Sequence, residues 1–235
     1  MDNDVTENEK LTRAELKIRC ADMAVKFKFL FIVTVVSFVI NFILTIPMFM
    51  TIWALNLALV IVYVSLKMLA DVMIAIILFT LSKHNAGYKI AGIIYLIYAV
   101  LFNTSPLFLA LASGQNAKIM VLLSEGGKLS STLFSFLYHL QLSTTMMLVF
   151  EPVSLAVKVA WREFRQWNIY TFVGNLICTP LMFIPWVKYG ALIGAGIITT
   201  ASFIVLIWRF TIIFKSYKMM EKFSRQVESP TPPHE

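Results

Sequence analysis

From Phe29 to Leu66 the chain carries no Asp, Glu, Lys or Arg, which makes 38 consecutive uncharged residues. A helix needs about 20 predominantly apolar residues to cross the hydrocarbon core of a bilayer. Similar uncharged stretches recur until close to the C-terminus. With 59% hydrophobic residues and a mean hydropathy of +0.78, a chain of 235 residues has no soluble way to bury these stretches. The sequence therefore predicts an all-α, polytopic integral membrane helical bundle.

The uncharged stretches divide into six predicted transmembrane helices, which form one domain over 29–214. The predicted spans cover about 29–50, 52–82, 90–112, 129–150, 169–187 and 190–214. Residues 1–28 then form an N-terminal tail, and residues 215–235 form a C-terminal tail that is partly disordered because its end is rich in proline. The apolar stretch after residue 28 lacks a small-residue cleavage site, so the first span is expected to be retained.

The basic residues predict the orientation of the chain. With six spans, 16 Lys and Arg residues fall on one side and three on the other. Cytoplasmic segments collect Lys and Arg, so both termini are expected to be cytoplasmic. The net charge of +7 reflects this topology, and no nucleic-acid partner is predicted. The two cysteines, Cys20 and Cys178, lie in a tail and in a span, which argues against an internal disulfide or a cysteine metal site.

The second predicted span is unusually long. Its 31 residues would extend for roughly 46 Å as a helix, against a hydrocarbon core of about 30 Å. The alternative is a division at Lys67 into spans near 49–66 and 68–82, giving seven in all. Seven spans would put the N-terminus outside and misplace six basic residues. We therefore prefer six.

Lys67 and Asp71 are the main candidates for chemistry, because an ionisable side chain inside the membrane costs about 2.5–3.5 kcal/mol and normally faces a partner or a water-filled cavity. Their i, i+4 spacing puts both on one helical face and permits a mutual ion pair. Asn56 and Tyr63 fall on the same stripe. The pair either stabilises helix packing, or it serves function as a proton relay or as a counter-charge for a substrate.

More polar groups are predicted at the same depth, because the midpoints of the third and fourth spans fall near Asn103 and His139. Three prolines, Pro106, Pro180 and Pro185, are candidates for helix breaks beside that depth. Unwound helices at the midplane bind ions and substrates in several secondary transporters, whereas a structural kink is the alternative for each proline. His139 is either a hydrogen-bonded packing residue or a proton carrier.

The connection from 151 to 168 reads as an amphipathic helix that lies along the inner membrane interface. Its basic face and its tryptophan suit lipid headgroups, through Lys158, Trp161, Arg162 and Arg165. The expected partners are membrane lipids with anionic headgroups, and docking of a cytoplasmic partner is the alternative.

Small residues at fourfold spacing predict close helix packing in the fourth and sixth spans. They are Ser131 and Ser135 in the fourth, and Gly190 and Gly194 in the sixth. The packing is expected within the chain, with a homo-oligomer or another membrane subunit as the alternative.

No motif in the sequence supports catalysis. The three histidines are too few for paired haem ligation or for the His clusters of membrane di-iron oxygenases and desaturases. Hydrolase, metalloprotease and phosphate-binding motifs are missing from the sequence. We therefore predict no cofactor and no metal site, and the sequence leaves enzyme activity open but unsupported.

Two functions fit these features. The first is a small multispanning membrane transporter or channel-like subunit with a polar midplane site. The second is a non-catalytic accessory or scaffold subunit of a larger membrane complex. A seven-span receptor is a third hypothesis and needs an external N-terminus. We favour transport, because a charge pair near the centre of a long span is costly to keep for packing alone.

Overall fold

The computed structural model describes residues 13–45, 57–112, 116–181, 184 and 187–225. Within these ranges the regular structure consists of six α-helices and no strand. They are α1 Arg13–Thr45, α2 Leu57–Leu81, α3 Gly87–Ala110, α4 Ala117–Phe150, α5 Leu155–Leu181 and α6 Lys188–Arg225. The prediction of an all-α fold is confirmed. Five helices, all except α5, are long and apolar enough to cross a bilayer, which supports a multi-pass membrane protein.

The helices form a closed ring. Each one packs against the next along the chain, and α6 packs back against α1. The pairing of α1 with α6 is antiparallel, because Phe31 contacts Phe214 with ring centroids 5.4 Å apart, whereas Phe38 contacts Phe210 at 5.2 Å. Successive helices alternate in direction in the same way. The first turn of α1 and the last turn of α6 therefore lie at the same end of the bundle.

Three helices are longer than a membrane requires. With 33, 34 and 38 residues, α1, α4 and α6 extend for about 50 to 57 Å, compared with a hydrocarbon core of about 30 Å. Accordingly, α1 begins well before residue 29 and α6 continues past residue 214. Met23 of α1 and Met220 of α6 are buried in the hydrophobic core, which explains why the helices continue beyond the predicted span boundaries.

The second span is a continuous helix at Lys67. α2 runs from Leu57 to Leu81 without interruption, so the alternative that divides the span at this residue is wrong. The charge of Lys67 does not end the helix because Asp71, one turn later, forms an ion pair with it. The predicted junction between the first two spans, within 46–56, lies outside the described residues.

The expectation of a separate interfacial helix before the fifth span is also wrong. A single helix, α5, covers most of both segments, from Leu155 to Leu181. Ser154 precedes it, and its hydroxyl accepts a hydrogen bond from the Val157 amide at 3.4 Å. No proline or glycine pair interrupts the helix before Pro180, so its basic first half continues directly into the apolar half.

Candidate functional site

The carboxylate of Asp71 lies at the centre of a hydrogen-bond network, and its side chain is completely buried. Lys67 of the same helix forms an ion pair with it. Its Oδ1 accepts hydrogen bonds from Ser37 Oγ at 3.1 Å and Tyr95 OH at 2.8 Å, and its Oδ2 accepts one from Asn103 Nδ2 at 2.9 Å. A carboxylate offers about four acceptor positions. Donors from α1, α2 and α3 therefore satisfy this one.

This network contains three of the six residues predicted for a midplane site, namely Lys67, Asp71 and Asn103. Tyr63 lies on the same helix but donates its hydrogen bond to Oδ1 of Asn41, at 3.0 Å. Asn56 lies outside the described residues. The sixth residue, His139, lines a separate cavity.

The predicted helix breaks differ in outcome. Pro106 lies inside α3, which continues to Ala110, so the helix is not broken there. Proline at this position removes the backbone donor to the carbonyl of Phe102, and the hydroxyl of the neighbouring Ser105 donates to the carbonyl of Leu101 at 2.9 Å. Pro180 is the penultimate residue of α5 and marks its end. Pro185 lies outside the described residues.

A cavity of about 310 Å³ lies between α3, α4, α5 and α6. Its walls combine aromatic rings with a set of polar side chains. The polar side chains include Ser131, Ser135, His139, Asn168, Asn175 and Arg209. The cavity therefore offers hydrogen-bonding groups from three helices, together with one permanent positive charge.

The hydrogen bonds of His139 fix the form of its ring. Its Nδ1 lies 2.7 Å from the carbonyl oxygen of Ser135, which can only accept, so Nδ1 carries the hydrogen. Its Nε2 lies 2.7 Å from Nη1 of Arg209, which can only donate. His139 is therefore neutral, with one nitrogen donating to its own helix and the other accepting from α6.

Arg209 and Asn168 carry donors that have no partner among the described residues. Nε of Arg209 and Nδ2 of Asn168 are buried and make no hydrogen bond within the described part of the chain. Arg209 also forms no ion pair with an acidic residue there. Buried donors are nearly always satisfied in proteins. The cavity is therefore lined by a cation and an amide that can both donate to a ligand.

A layer of aromatic rings separates the Asp71 network from the cavity. Tyr95, which donates to Asp71, packs against Tyr138 with centroids 4.7 Å apart, and Tyr138 packs against His139 at 4.9 Å. Nζ of Lys67 lies 5.7 Å from the ring centroid of Phe102, which lines the cavity. The two polar centres are neighbours, linked through rings.

Both centres lie near the middle of the bundle. Lys83 follows Asp71 by twelve residues, Glu151 follows His139 by twelve, and the two connections lie at the same end of the bundle. Twelve helical residues extend for about 18 Å, which is a little more than half of a hydrocarbon core of about 30 Å. Asp71 and His139 are therefore at similar depth.

The residues predicted for a lipid-headgroup or partner surface lie in different environments and do not form one surface. Trp161 is fully buried, and its Nε1 donates to Oγ of Ser216 at 2.9 Å, so it packs between α5 and α6 and does not face lipid. Lys158 forms an ion pair with Glu151 at 2.5 Å. Arg162 is exposed and Arg165 is half-buried.

The small residues predicted for close helix packing also lie in different environments. Ser131 and Ser135 face the cavity. A methyl group built at Gly194 would lie 3.1 Å from Sγ of Cys178, so α6 approaches α5 closely there. Around Gly190, by contrast, such a group would meet nothing within 4 Å.

Sequence reasoning missed Arg209, Asn168 and Asn175. Arg209 was counted with the cytoplasmic basic residues, although it is the only charged residue between 189 and 214. The helical spacing of Asn168 and Asn175, and of Ser135 and His139, places each pair on one helical face. These two pairs of polar residues indicate that α4 and α5 share a polar surface.

Among the described residues, no cluster of three His, Cys, Asp or Glu side chains could hold a metal ion. No protein-family model, no curated protein and no solved structure matches this chain.

Proposed function

We propose that this chain is a small membrane transporter or channel-like subunit whose polar site is the central cavity together with the neighbouring Asp71 network. One observation carries the proposal: a partly buried cation, Arg209, lines a cavity near mid-depth, and it has no acidic partner among the described residues. A charge kept only for packing would be saturated by protein groups, as Asp71 is. A charge that serves a solute has donors left for it.

We propose further that six helices cross the membrane and that both termini are cytoplasmic. The alternating directions of α1 to α6 support an even number of crossings. α5 packs antiparallel between α4 and α6, and its apolar half accompanies theirs. With Arg209 removed from the count, 15 basic residues lie on the proposed inner side and three on the outer side. Protection of a tag at residue 1 from external protease would exclude the seven-span receptor.

The test is solute release from proteoliposomes. Purified protein is reconstituted into vesicles loaded with a defined mixture of small organic anions, cations and neutral polar solutes, and the solutes that remain are quantified by mass spectrometry. We expect selective loss of one class relative to protein-free vesicles. Asp71→Asn should abolish the release. Asp22→Asn is the matched control, because Asp22 pairs with Lys26 at the end of the bundle, away from the cavity.

The same preparation tests the accessory-subunit hypothesis. Gentle extraction followed by native mass spectrometry reveals any chains that travel with the protein. Stoichiometric partner chains, combined with no solute release from vesicles, would contradict the transport proposal and favour a structural role in a complex. A single species with selective release would support transport.

A further inference from the structure

We infer that the cavity binds a small organic monoanion, a carboxylate with an apolar body, whose carboxylate lies against Arg209. This inference rests on the proposed function, because it names the class of solute that the same site would take. It is carried by the geometry of Arg209, by a second donor on another helix, by the balance of buried charge, and by the walls of the cavity.

The guanidinium of Arg209 is held with one edge free. Nη1 donates to Nε2 of His139 at 2.7 Å. On the opposite edge, which Nε shares with Nη2, the buried Nε makes no hydrogen bond with the described residues. Two parallel N–H groups on that edge match the two oxygens of a carboxylate. The neutral His139 ring therefore orients the cation, and it leaves Nε on the carboxylate-binding edge without a hydrogen-bond partner among the described residues.

Asn168 supplies a second donor from a different helix. Its buried Nδ2 has no partner among the described residues, and it lines the same cavity as Arg209. A ligand that accepts hydrogen bonds would therefore satisfy unused donors on α5 and α6. A cationic ligand would leave these two donors unsatisfied, and it would also be repelled by the guanidinium.

The balance of buried charge favours a single negative charge. The centre of the bundle holds two cations, Lys67 and Arg209, and one anion, Asp71, which is bound to Lys67. This leaves an excess of one positive charge where isolated charges are costly. A monoanion restores neutrality. A phosphate dianion would leave the centre with an excess of one negative charge.

The walls of the cavity favour an apolar body on the ligand. Four phenylalanine rings line it, from residues Phe102, Phe136, Phe164 and Phe172. The rings of Phe136 and Phe172 stack in parallel with centroids 3.9 Å apart. A cavity of about 310 Å³ lies at the lower end of the range for small-molecule sites. A compact aromatic or branched aliphatic carboxylate fits this surface better than a sugar or a polyol.

The experiment compares two probes of the same shape that differ in charge. Radiolabelled benzoate and benzamide are equilibrated by dialysis against the purified protein in lipid nanodiscs, with empty nanodiscs correcting for partition into lipid. We expect benzoate to bind with a stoichiometry near one, and benzamide to bind about tenfold or more weakly, because a charge-assisted hydrogen bond is the stronger kind.

The variants assign the binding to the cavity. Arg209→Met should reduce benzoate binding about tenfold or more and remove the preference over benzamide. Arg209→Lys keeps the charge but loses the two parallel N–H groups, so this variant should bind benzoate with intermediate affinity. Arg225→Met is the matched control, because it makes the same substitution on the same helix at an exposed residue. If the Arg209 variants fail to fold, Asn168→Ala tests the same cavity. It should also weaken benzoate binding.

The outcomes separate this inference from the proposed function. Equal binding of benzoate and benzamide, or benzoate binding unchanged in folded Arg209→Met or Asn168→Ala protein, would overturn the anion site even if vesicles release a solute. Benzoate binding that depends on Arg209 supports the site even if vesicles release nothing, and in that case only the transport proposal fails.

Discussion

Nη1 of Arg209 donates a hydrogen bond to Nε2 of His139 across 2.7 Å, and this contact joins α6 to α4 at the wall of the central cavity. The acceptor exists only because Nδ1 of the same ring donates to the carbonyl of Ser135. A backbone carbonyl one turn away thus sets the form of the histidine, and the histidine sets the direction of the guanidinium. His139 acts as a positioning residue.

Two replacements of His139 distinguish the positioning of Arg209 from packing by the volume of the ring. In His139→Phe the ring volume remains but the acceptor is lost, so Arg209 should turn and benzoate affinity should fall about tenfold or more. His139→Gln offers an amide oxygen as acceptor and should stay closer to the wild type. Equilibrium dialysis measures both variants. Equal affinities in the two would refute the positioning role.

The Asp71 network should be intolerant of single changes. Asp71→Asn leaves Lys67 as a buried cation without a counter-charge, and breaking such a pair costs about 3–5 kcal/mol. The double variant Lys67→Met/Asp71→Asn removes both charges and should recover much of the lost stability. Denaturant unfolding in detergent measures each free energy. A double variant no more stable than Asp71→Asn would contradict this account.

The same double variant distinguishes packing from transport. If it is stable and still releases solute from vesicles, Lys67 and Asp71 serve packing alone. If it is stable but releases nothing, the pair takes part in transport. Asp22→Asn is again the control, since Asp22 contacts Lys83 at the end of the bundle and is partly exposed.

Hydropathy was enough to predict five of the six helices, because a span must present apolar side chains over a fixed length and must satisfy its backbone hydrogen bonds internally. It was not enough to locate their ends. α1 begins at Arg13, inside a charged segment, because apolar side chains such as Met23 and Phe27 still face the core there. The position of a charged residue in the sequence does not reveal which face of the helix carries the charge.

The site was predictable where partners are close in sequence. Lys67 and Asp71 are four residues apart, and the ion pair follows from helix geometry. Tyr95 and Asn103 reach the same carboxylate from another helix, and no local pattern encodes the rotation of α3 that brings them there. Arg209 was missed because the cavity that it lines is formed together with three other helices.

Close approach of α3 and α4 gives a prediction about glycine. A methyl group at Gly87 would lie 2.2 Å from Oγ1 of Thr145, whose β-branched side chain cannot move away freely. Gly87→Ala should therefore destabilise the protein by about 1–3 kcal/mol, measured by denaturant unfolding. Gly126→Ala is the control, since no atom lies within 4 Å of the added methyl group. Equal effects of the two substitutions would contradict the close contact.

The indole of Trp161 links α5 to α6 inside the protein. Trp161→Phe removes the hydrogen bond to Oγ of Ser216 and leaves a cavity, so thermal unfolding should reveal a loss of about 1–3 kcal/mol. Trp167→Phe, at a residue that is 48% exposed, is the matched control. A larger effect at Trp167 would contradict the buried contact between Trp161 and Ser216.

His84 gives the bundle a pH dependence at the end that carries the 82–86 connection. Its Nε2 lies 2.5 Å from Oδ2 of Asp22, and Lys83 contacts the same oxygen at 3.0 Å. Burial lowers the pKa of His84 below its ordinary value of 6.5, although the hydrogen bond to Asp22 acts in the opposite direction. In the folded protein the ring is therefore the neutral donor to the carboxylate.

The sign of the effect follows from that lowered pKa. The unfolded chain takes up a proton at His84 near pH 6.5, more readily than the folded protein does. The stabilising contribution is therefore fully present above about pH 6.5 and is lost as the pH falls below it. Thermal unfolding midpoints between about pH 8 and pH 5 should fall more steeply in the wild type than in His84→Gln, whose other titrating groups are unchanged. Parallel curves, or a wild type that gains stability on acidification, would refute this role for His84.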